Sequence, residues 1–355
     1  MVAGRFGSFS KVKRKTEVKN FKIVDSFLFS EIFEKELLLL KLMIEDSCID
    51  EWIILENAYS FQGEYIGLQA KDLIENDPRF QPYKEKITII SKEMKTAILP
   101  KHVFLDDLSY KVEYWQRDLA YDYFINKYTE NDWIMVSDVD EIIDFTDLAR
   151  KNELLLKLAN SKSGLVVFPT KRYWYDFDNE YKMMIGNAMC RKNYLLQNEK
   201  KLHQVRSENR RVINSKWKNI IAFEYSSCYD KEYIMRKFYT STHTGFTQND
   251  LKLSLRCNHR PTREFATWKA DNNKYWFFET AQLTENNSPK FVRENLQSLK
   301  TGNIDVQYKL NRRKEYPDLF TMKYFINRFT TAKKKYLLKK AKNFRYKVKA
   351  FLHKA

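Results

Sequence analysis

Between residues 22 and 56 the chain alternates strand, helix and strand, and this alternation limits the fold more than any other feature. Residues 22–29 carry Ile23, Val24, Phe27, Leu28 and Phe29. Residues 34–45 form a leucine-rich helical run. Residues 51–56 hold Trp52-Ile53-Ile54-Leu55 and end in polar Glu56-Asn57. A strand that reaches its neighbour through a helix returns parallel to it, which makes a βαβ unit. A further apolar strand is expected over 86–91, and a helix over 112–127 with Trp115, Leu119, Tyr123 and Phe124. A short strand follows at Trp133-Ile134-Met135-Val136, then another over 165–169. Beyond it the chain turns aromatic and polar, and the second half reads as less regular. No internal repeat is visible. The expectation is an α/β domain with a mostly parallel central sheet, whose ligands bind at the carboxyl ends of the strands.

Composition narrows the chemistry. The 8 glycines never assemble a G-x-G-x-x-G or a G-x-x-x-x-G-K-[ST], so a glycine cradle is not the phosphate-binding device. The formal charge of +17 is unevenly placed. Residues 1–22 hold seven Lys/Arg and one acid, and residues 321–355 hold twelve Lys/Arg and none. Residues 23–320 carry 44 basic and 45 acidic side chains. Basic ends on a neutral body suit an anionic membrane surface better than a nucleic acid, which is the less favoured partner. Leu337, Ala341, Phe344, Val348 and Phe351 recur at helical spacing with lysines and Arg345 between them, the pattern of a basic amphipathic helix. A solvated terminal helix packed on the body is the plainer reading of the same pattern. The richest apolar run, 37–44, is broken by Lys41 and is too short to span a bilayer. Cys48, Cys190, Cys228 and Cys257 lie far apart without a C-x-x-C, which suits a reducing compartment. These features predict a basic tail over 1–21, one domain over 22–318 and a basic helical tail over 319–355. The expected location is the cytoplasmic face of a membrane.

The most informative segment is Trp133-Ile134-Met135-Val136-Ser137-Asp138-Val139-Asp140-Glu141. Four apolar residues drive a strand into the core, and the chain leaves it with two aspartates at i, i+2. In an extended chain both carboxylates point the same way and Val139 points inward. Two hard oxygen ligands at a strand tip suit Mn²⁺ or Mg²⁺, whose other positions are filled by water and substrate phosphates. The competing reading is that Asp138 or Asp140 caps a following helix, with Glu141 as an acid of its first turn.

Several segments resemble glycosyltransferase family 17, the β-1,4-mannosyl-glycoprotein N-acetylglucosaminyltransferase family. These are Val24-Asp25-Ser26-Phe27 with Glu34 and the leucine helix, Ile53 to Gly63, Gln116-Arg117-Asp118, Arg172-Tyr173-Trp174-Tyr175, and Ile234 to Lys237 followed by His243. Ser137-Asp138-Val139-Asp140-Glu141-Ile142, which resembles the family's S-D-V-D-E-I, is the most specific. The resemblance implies a GT-A-like fold, a nucleotide-sugar donor (UDP-N-acetylglucosamine first), a metal held through the D-x-D, and inversion at the anomeric carbon. Where the family reads G-W-H-F-S, this chain reads Ala222-Phe223-Glu224-Tyr225-Ser226, so Glu224 stands in for a histidine. The animal members' N-terminal membrane anchor is not matched here, which points to a glycan or glycolipid acceptor at a cytoplasmic surface.

On this reading Asp138 and Asp140 are the metal pair. The base is Glu224, or Asp176 or Asp178 beside Tyr173-Trp174-Tyr175, whose rings suit a sugar face or a plain aromatic core. His243 completes the metal site or contacts the diphosphate. Glu56 and Arg117 face the nucleotide, or else form structural ion pairs. Two other functions use the same residues: a metal-dependent phosphoryl-transfer enzyme, and a non-catalytic binder of anionic lipid or nucleic acid.

Overall fold

The structure is a computed structural model that describes residues 20–95, 106–209, 216–228, 231–242 and 279–300. Residues 1–19 of the N-terminal tail, the whole 319–355 tail, His243 and Cys257 lie outside the described residues.

The expected βαβ opening forms as β1 (Ile23–Leu28), α1 (Lys35–Glu45) and β2 (Glu51–Asn57). Helix α2 (Ala70–Asn76) leads to β3 (Ile87–Lys92), and α3 (Asp106–Lys127) leads to β4 (Trp133–Asp138). Helix α3 is longer than the 112–127 expected from its apolar spacing. Strands β3, β2, β1 and β4 lie side by side, and every pairing among them is parallel. β1 and β2 are buried along their whole length, as a parallel sheet covered on both faces requires. No helix among the described residues is long and apolar enough to cross a membrane.

The second half is more regular than the sequence suggests. Strand β5 (Glu141–Ile143) is followed by α4 (Leu148–Asn160), then by the hairpin of β6 (Leu165–Trp174) and β7 (Asn179–Arg191). Helices α5 (Lys192–Gln197) and α6 (Leu202–Asn209), strand β8 (Ala222–Ser226), helix α7 (Lys231–Thr240) and strand β9 (Glu279–Thr280) come after. The sheet order is β3-β2-β1-β4-β7-β6-β8-β5, with β9 beside β7. β7 runs antiparallel to β4 and β6, while β8 lies parallel to β6 and antiparallel to β5. The whole is a mixed α/β sheet, parallel through the half that contains β1.

β4 and β5 are four places apart in this order, yet only Val139 and Asp140 join them. Two residues reach about 7 Å. The sheet therefore curls through β7, β6 and β8 until β5 returns beside the end of β4. Alternation along β4 sorts its side chains. Ile134 and Val136 pack with Ala120 and Phe124 of α3 and with Leu202 and Val205 of α6. Trp133 and Met135 face Leu38 and Leu42 of α1.

Candidate active site

The acidic segment sits at the carboxyl end of β4, beside the end of β1, with Leu28 opposite Asp138. It is not extended. Val139 and Asp140 form a turn, because β5 must leave β4 to pair with β8. Val139 is buried as expected. The two carboxylates, however, go to different partners rather than pointing the same way. Asp138 shares the parity of Ile134 and Val136, so it meets the helices on that face. Arg117 of α3 donates to its Oδ1 at 2.5 Å, and Arg206 of α6 donates to its Oδ2. Asp140 turns instead to Lys237 of α7, whose Nζ lies 2.8 Å from Oδ2. Neither aspartate caps a helix. Glu141 opens a strand, and Asp147 caps α4 by accepting from the Arg150 N–H at 2.8 Å.

Glu141 belongs to the same network. Arg206 grips it through two nitrogens, at 2.6 and 3.0 Å, and the Asp138 N–H donates to it at 3.1 Å. Arg117 is in turn held by Glu113 at 2.8 Å and donates to the Ser137 carbonyl at 2.8 Å. Both guanidiniums are almost wholly buried, and Lys237 is about a quarter exposed (24%). Burial opposes the charge on Arg206 and Lys237, but the adjacent carboxylates outweigh it and raise both groups above their ordinary values.

The curl brings Glu224 here from β8. It stands directly opposite Glu141 in the β5–β8 register. Arg172 of β6 holds it at 2.8 Å, and the Ser226 hydroxyl donates to it at 2.5 Å. Burial lifts the Glu224 carboxyl; Arg172 opposes the lift, and Glu141 and Asp140 add to it. Glu34, between β1 and α1, approaches Lys237 at 3.7 Å and accepts from the Ser30 N–H at 3.0 Å. Burial pushes Glu34 up to about 7, against Lys237 and with help from Asp140.

Other sequence candidates fall elsewhere. Glu56 accepts from the Gln69 and Ala70 N–H groups and from the Ser91 hydroxyl, so its carboxylate closes the N-terminus of α2. Asp176 and Asp178 lie at the tip of the β6–β7 hairpin. The Asp176 carboxylate accepts from the Phe177 N–H at 3.1 Å, and Asp178 pairs with Lys300 at 2.7 Å. Tyr173, Trp174 and Tyr175 are buried, with Tyr173 stacked on Tyr225 at 5.4 Å, so they form aromatic core and not an open sugar platform.

The sequence reading assigned no role to Arg206, Lys237, Arg172, Glu34 or Lys41. Lys41 had a legible signal. It lies on the same helical stripe as Leu38, Leu42 and Glu45, at i, i+3, i+4 and i+7, which is the buried face.

Among the described residues no three His, Cys, Asp or Glu side chains form a ready metal set. The chemistry of the donors nonetheless fits a hard divalent cation shared with a phosphate ligand. Arg117 takes one Asp138 oxygen and Arg206 the other, and a carboxylate has about four acceptor positions. Among the described residues the ion pairs here form three groups, in each of which carboxyls equal or outnumber cations: Glu113, Asp138 and Glu141 around Arg117 and Arg206, Glu34 and Asp140 around Lys237, and Glu224 on Arg172. Asp138, one-third exposed (33%), is the open edge of the first group.

No family model matches the chain, and no curated protein matches it. Among the solved structures that match is mannose-6-phosphate isomerase from Helicobacter pylori. It is 12% identical over 63% of this chain and 94% of that one, with a TM-score of 0.28. A likeness at that score carries no argument about fold or function.

Proposed function

We propose that this protein is a divalent-cation-dependent, inverting glycosyltransferase. It would move a sugar, N-acetylglucosamine in the first instance, from a nucleotide-diphosphate donor to a glycan or glycolipid acceptor. One observation carries the reading: an acidic turn at the carboxyl ends of parallel strands β1 and β4 shares a charge network with Glu224 from the far side of the sheet. That end of a parallel α/β sheet is where ligands bind.

Asp138 and Asp140 would hold the metal, Mn²⁺ or Mg²⁺, which neutralises charge on a departing diphosphate. Arg117 and Arg206 fix the Asp138 carboxylate in place. Lys237 does the same for Asp140 and presents an ammonium at the rim of the site. Glu224 is the proposed base: burial and like charges raise its proton affinity, which a group that must accept a proton requires. Asp176 and Asp178 are the weaker candidates, because the structure shows them bound up in the hairpin tip. The proposed membrane contact belongs to the basic tail over 319–355, and flotation with anionic vesicles, with and without that tail, tests it.

The central test is thermal unfolding with Mn²⁺ and a panel of nucleoside diphosphates and UDP-sugars. A ligand that binds only the native state raises the melting temperature by mass action. The expected result is a metal-dependent shift with one nucleoside diphosphate and its sugar, absent in Asp140→Asn. If no nucleotide shifts the transition in Mn²⁺, the transferase reading fails. Sugar-nucleotide turnover without a phosphate acceptor separates transfer of a sugar from transfer of a phosphoryl group.

A further inference from the structure

The buried lysine that interrupts the leucine run of α1 lies directly beneath the acidic turn. Lys41 is wholly buried, and its ammonium has four partners from three parts of the chain. It pairs with Asp25 of β1 at 2.6 Å and with Glu45, one helical turn on, at 3.2 Å. It donates to the Ser137 hydroxyl at 3.2 Å and to the Glu141 carbonyl at 2.5 Å. The last two contacts bracket the turn, one immediately before Asp138 and the other immediately after Asp140. The same cluster binds the turn twice more. The Ser137 hydroxyl donates to Asp25 at 2.7 Å, and the Ile143 N–H donates to Glu45 at 2.8 Å.

A charged side chain in the core is costly to desolvate, and a leucine at this helical position would pack without that cost. Stability alone therefore gives no reason for a lysine here. An ammonium offers what an apolar side chain lacks: several directed hydrogen bonds to fixed acceptors. Lys41 spends two of these on the backbone and side chain that bound the two aspartates, from the face opposite Arg117 and Arg206.

We propose that Lys41 is a positioning residue, whose ammonium clamps the two ends of the Ser137–Glu141 turn and so fixes where Asp138 and Asp140 present their carboxylates. The clamp itself is independent of the metal. Its consequence for cation binding rests on the proposed function.

Lys41→Met alone would leave the buried Asp25 and Glu45 carboxyls without their cation and risks unfolding the chain. The informative variant is Lys41→Met combined with Asp25→Asn and Glu45→Gln. The amides keep carbonyl acceptors for Ser137 and Ile143, while the Trp52 indole N–H, which donates to the second Glu45 oxygen at 3.2 Å, loses its acceptor, so the losses are the charges, the clamp and that one bond. Two measurements are made on the full chain. Hydrogen exchange at residues 138–143, against α4 and β3 as internal controls, reads the order of the turn. Mn²⁺ titration followed by electron paramagnetic resonance reads cation affinity.

The expected result is exchange about tenfold or more faster in the turn, with the control segments unchanged. Mn²⁺ affinity should fall about tenfold, the scale seen when a support behind a metal ligand is removed. If the triple variant exchanges at the wild-type rate in the turn, the clamp is wrong, whatever happens to Mn²⁺. If the wild-type chain binds no Mn²⁺, the proposed function loses its cation, while the exchange measurement still decides the clamp.

Discussion

Glu34→Gln should stabilise this protein, and by an amount that depends on pH. Glu34 is buried between β1 and α1, and its side chain is only 8% exposed. Its carboxyl is raised from 4.5 to about 7, first by burial and then by Asp140 and Glu31, against the pull of Lys237 and the Ser30 N–H. A raised carboxyl favours the folded state while protonated. That stability is fully present below the unfolded pKa and is lost as pH rises through the folded one. Glutamine resembles the protonated form at every pH and keeps an acceptor for the Ser30 N–H. The shift sets the scale: the variant should gain about 3 kcal/mol at pH 8 but only about 1 kcal/mol at pH 5.5, to order of magnitude. Urea unfolding of both proteins at the two pH values measures the difference directly. Equal gains at pH 5.5 and pH 8, or a loss at pH 8, would refute a buried, uncompensated Glu34.

Three further outcomes are expected. Arg206→Met leaves Glu141 and Asp138 short of a buried counter-charge and should cost about 3–5 kcal/mol in urea unfolding at pH 7; a loss below about 1 kcal/mol would show that the carboxylates relax into water. Glu56→Ala should cost about 1–2 kcal/mol through the lost α2 cap, while Glu56→Gln recovers most of it and nucleotide-induced shifts stay unchanged in both. Glu224→Gln should lower kcat of sugar transfer by about 10²–10⁴ with the Mn²⁺-dependent nucleotide shift retained; wild-type turnover in that variant removes Glu224 from the chemistry.

Much of the first half could be read from the chain. β1, α1, β2, β3 and β4 form within a few residues of the expected places, because each is a continuous apolar run or stripe bounded by polar residues. The β6–β7 hairpin was only partly legible. β7 contains Asn179, Gly186 and Asn187, which break the strand pattern, and its length comes from pairing with both β6 and β4. Of the site, Asp138, Asp140, Arg117 and Glu224 were visible as types; the structure pairs Arg117 with Asp138 and sets Glu224 opposite Glu141, next to Asp140. Their partners were not visible. Arg206 lies 68 residues from Asp138, and Lys237 lies 97 from Asp140. Nothing local distinguishes Arg206 from a surface cation, and Lys237 was marked only as part of a family-like segment, not by its partner.

By itself the sequence determined the periodic elements, the parallel βαβ opening and the placing of two aspartates just beyond a buried strand. These follow from short-range rules: the hydrophobic period, the turn forced by polar residues, and the crossover helix. Only the tertiary structure decided which way the aspartates face. Strand parity sent Asp138 toward α3 and α6. The return of β5 to pair with β8 bent the D-x-D into a turn and swung Asp140 to Lys237. The same curl set Glu224 across from Glu141, 83 residues apart along the chain and directly paired in the sheet. Such pairings arise from closing a sheet over long loops, and no local pattern encodes the partner that closure will supply.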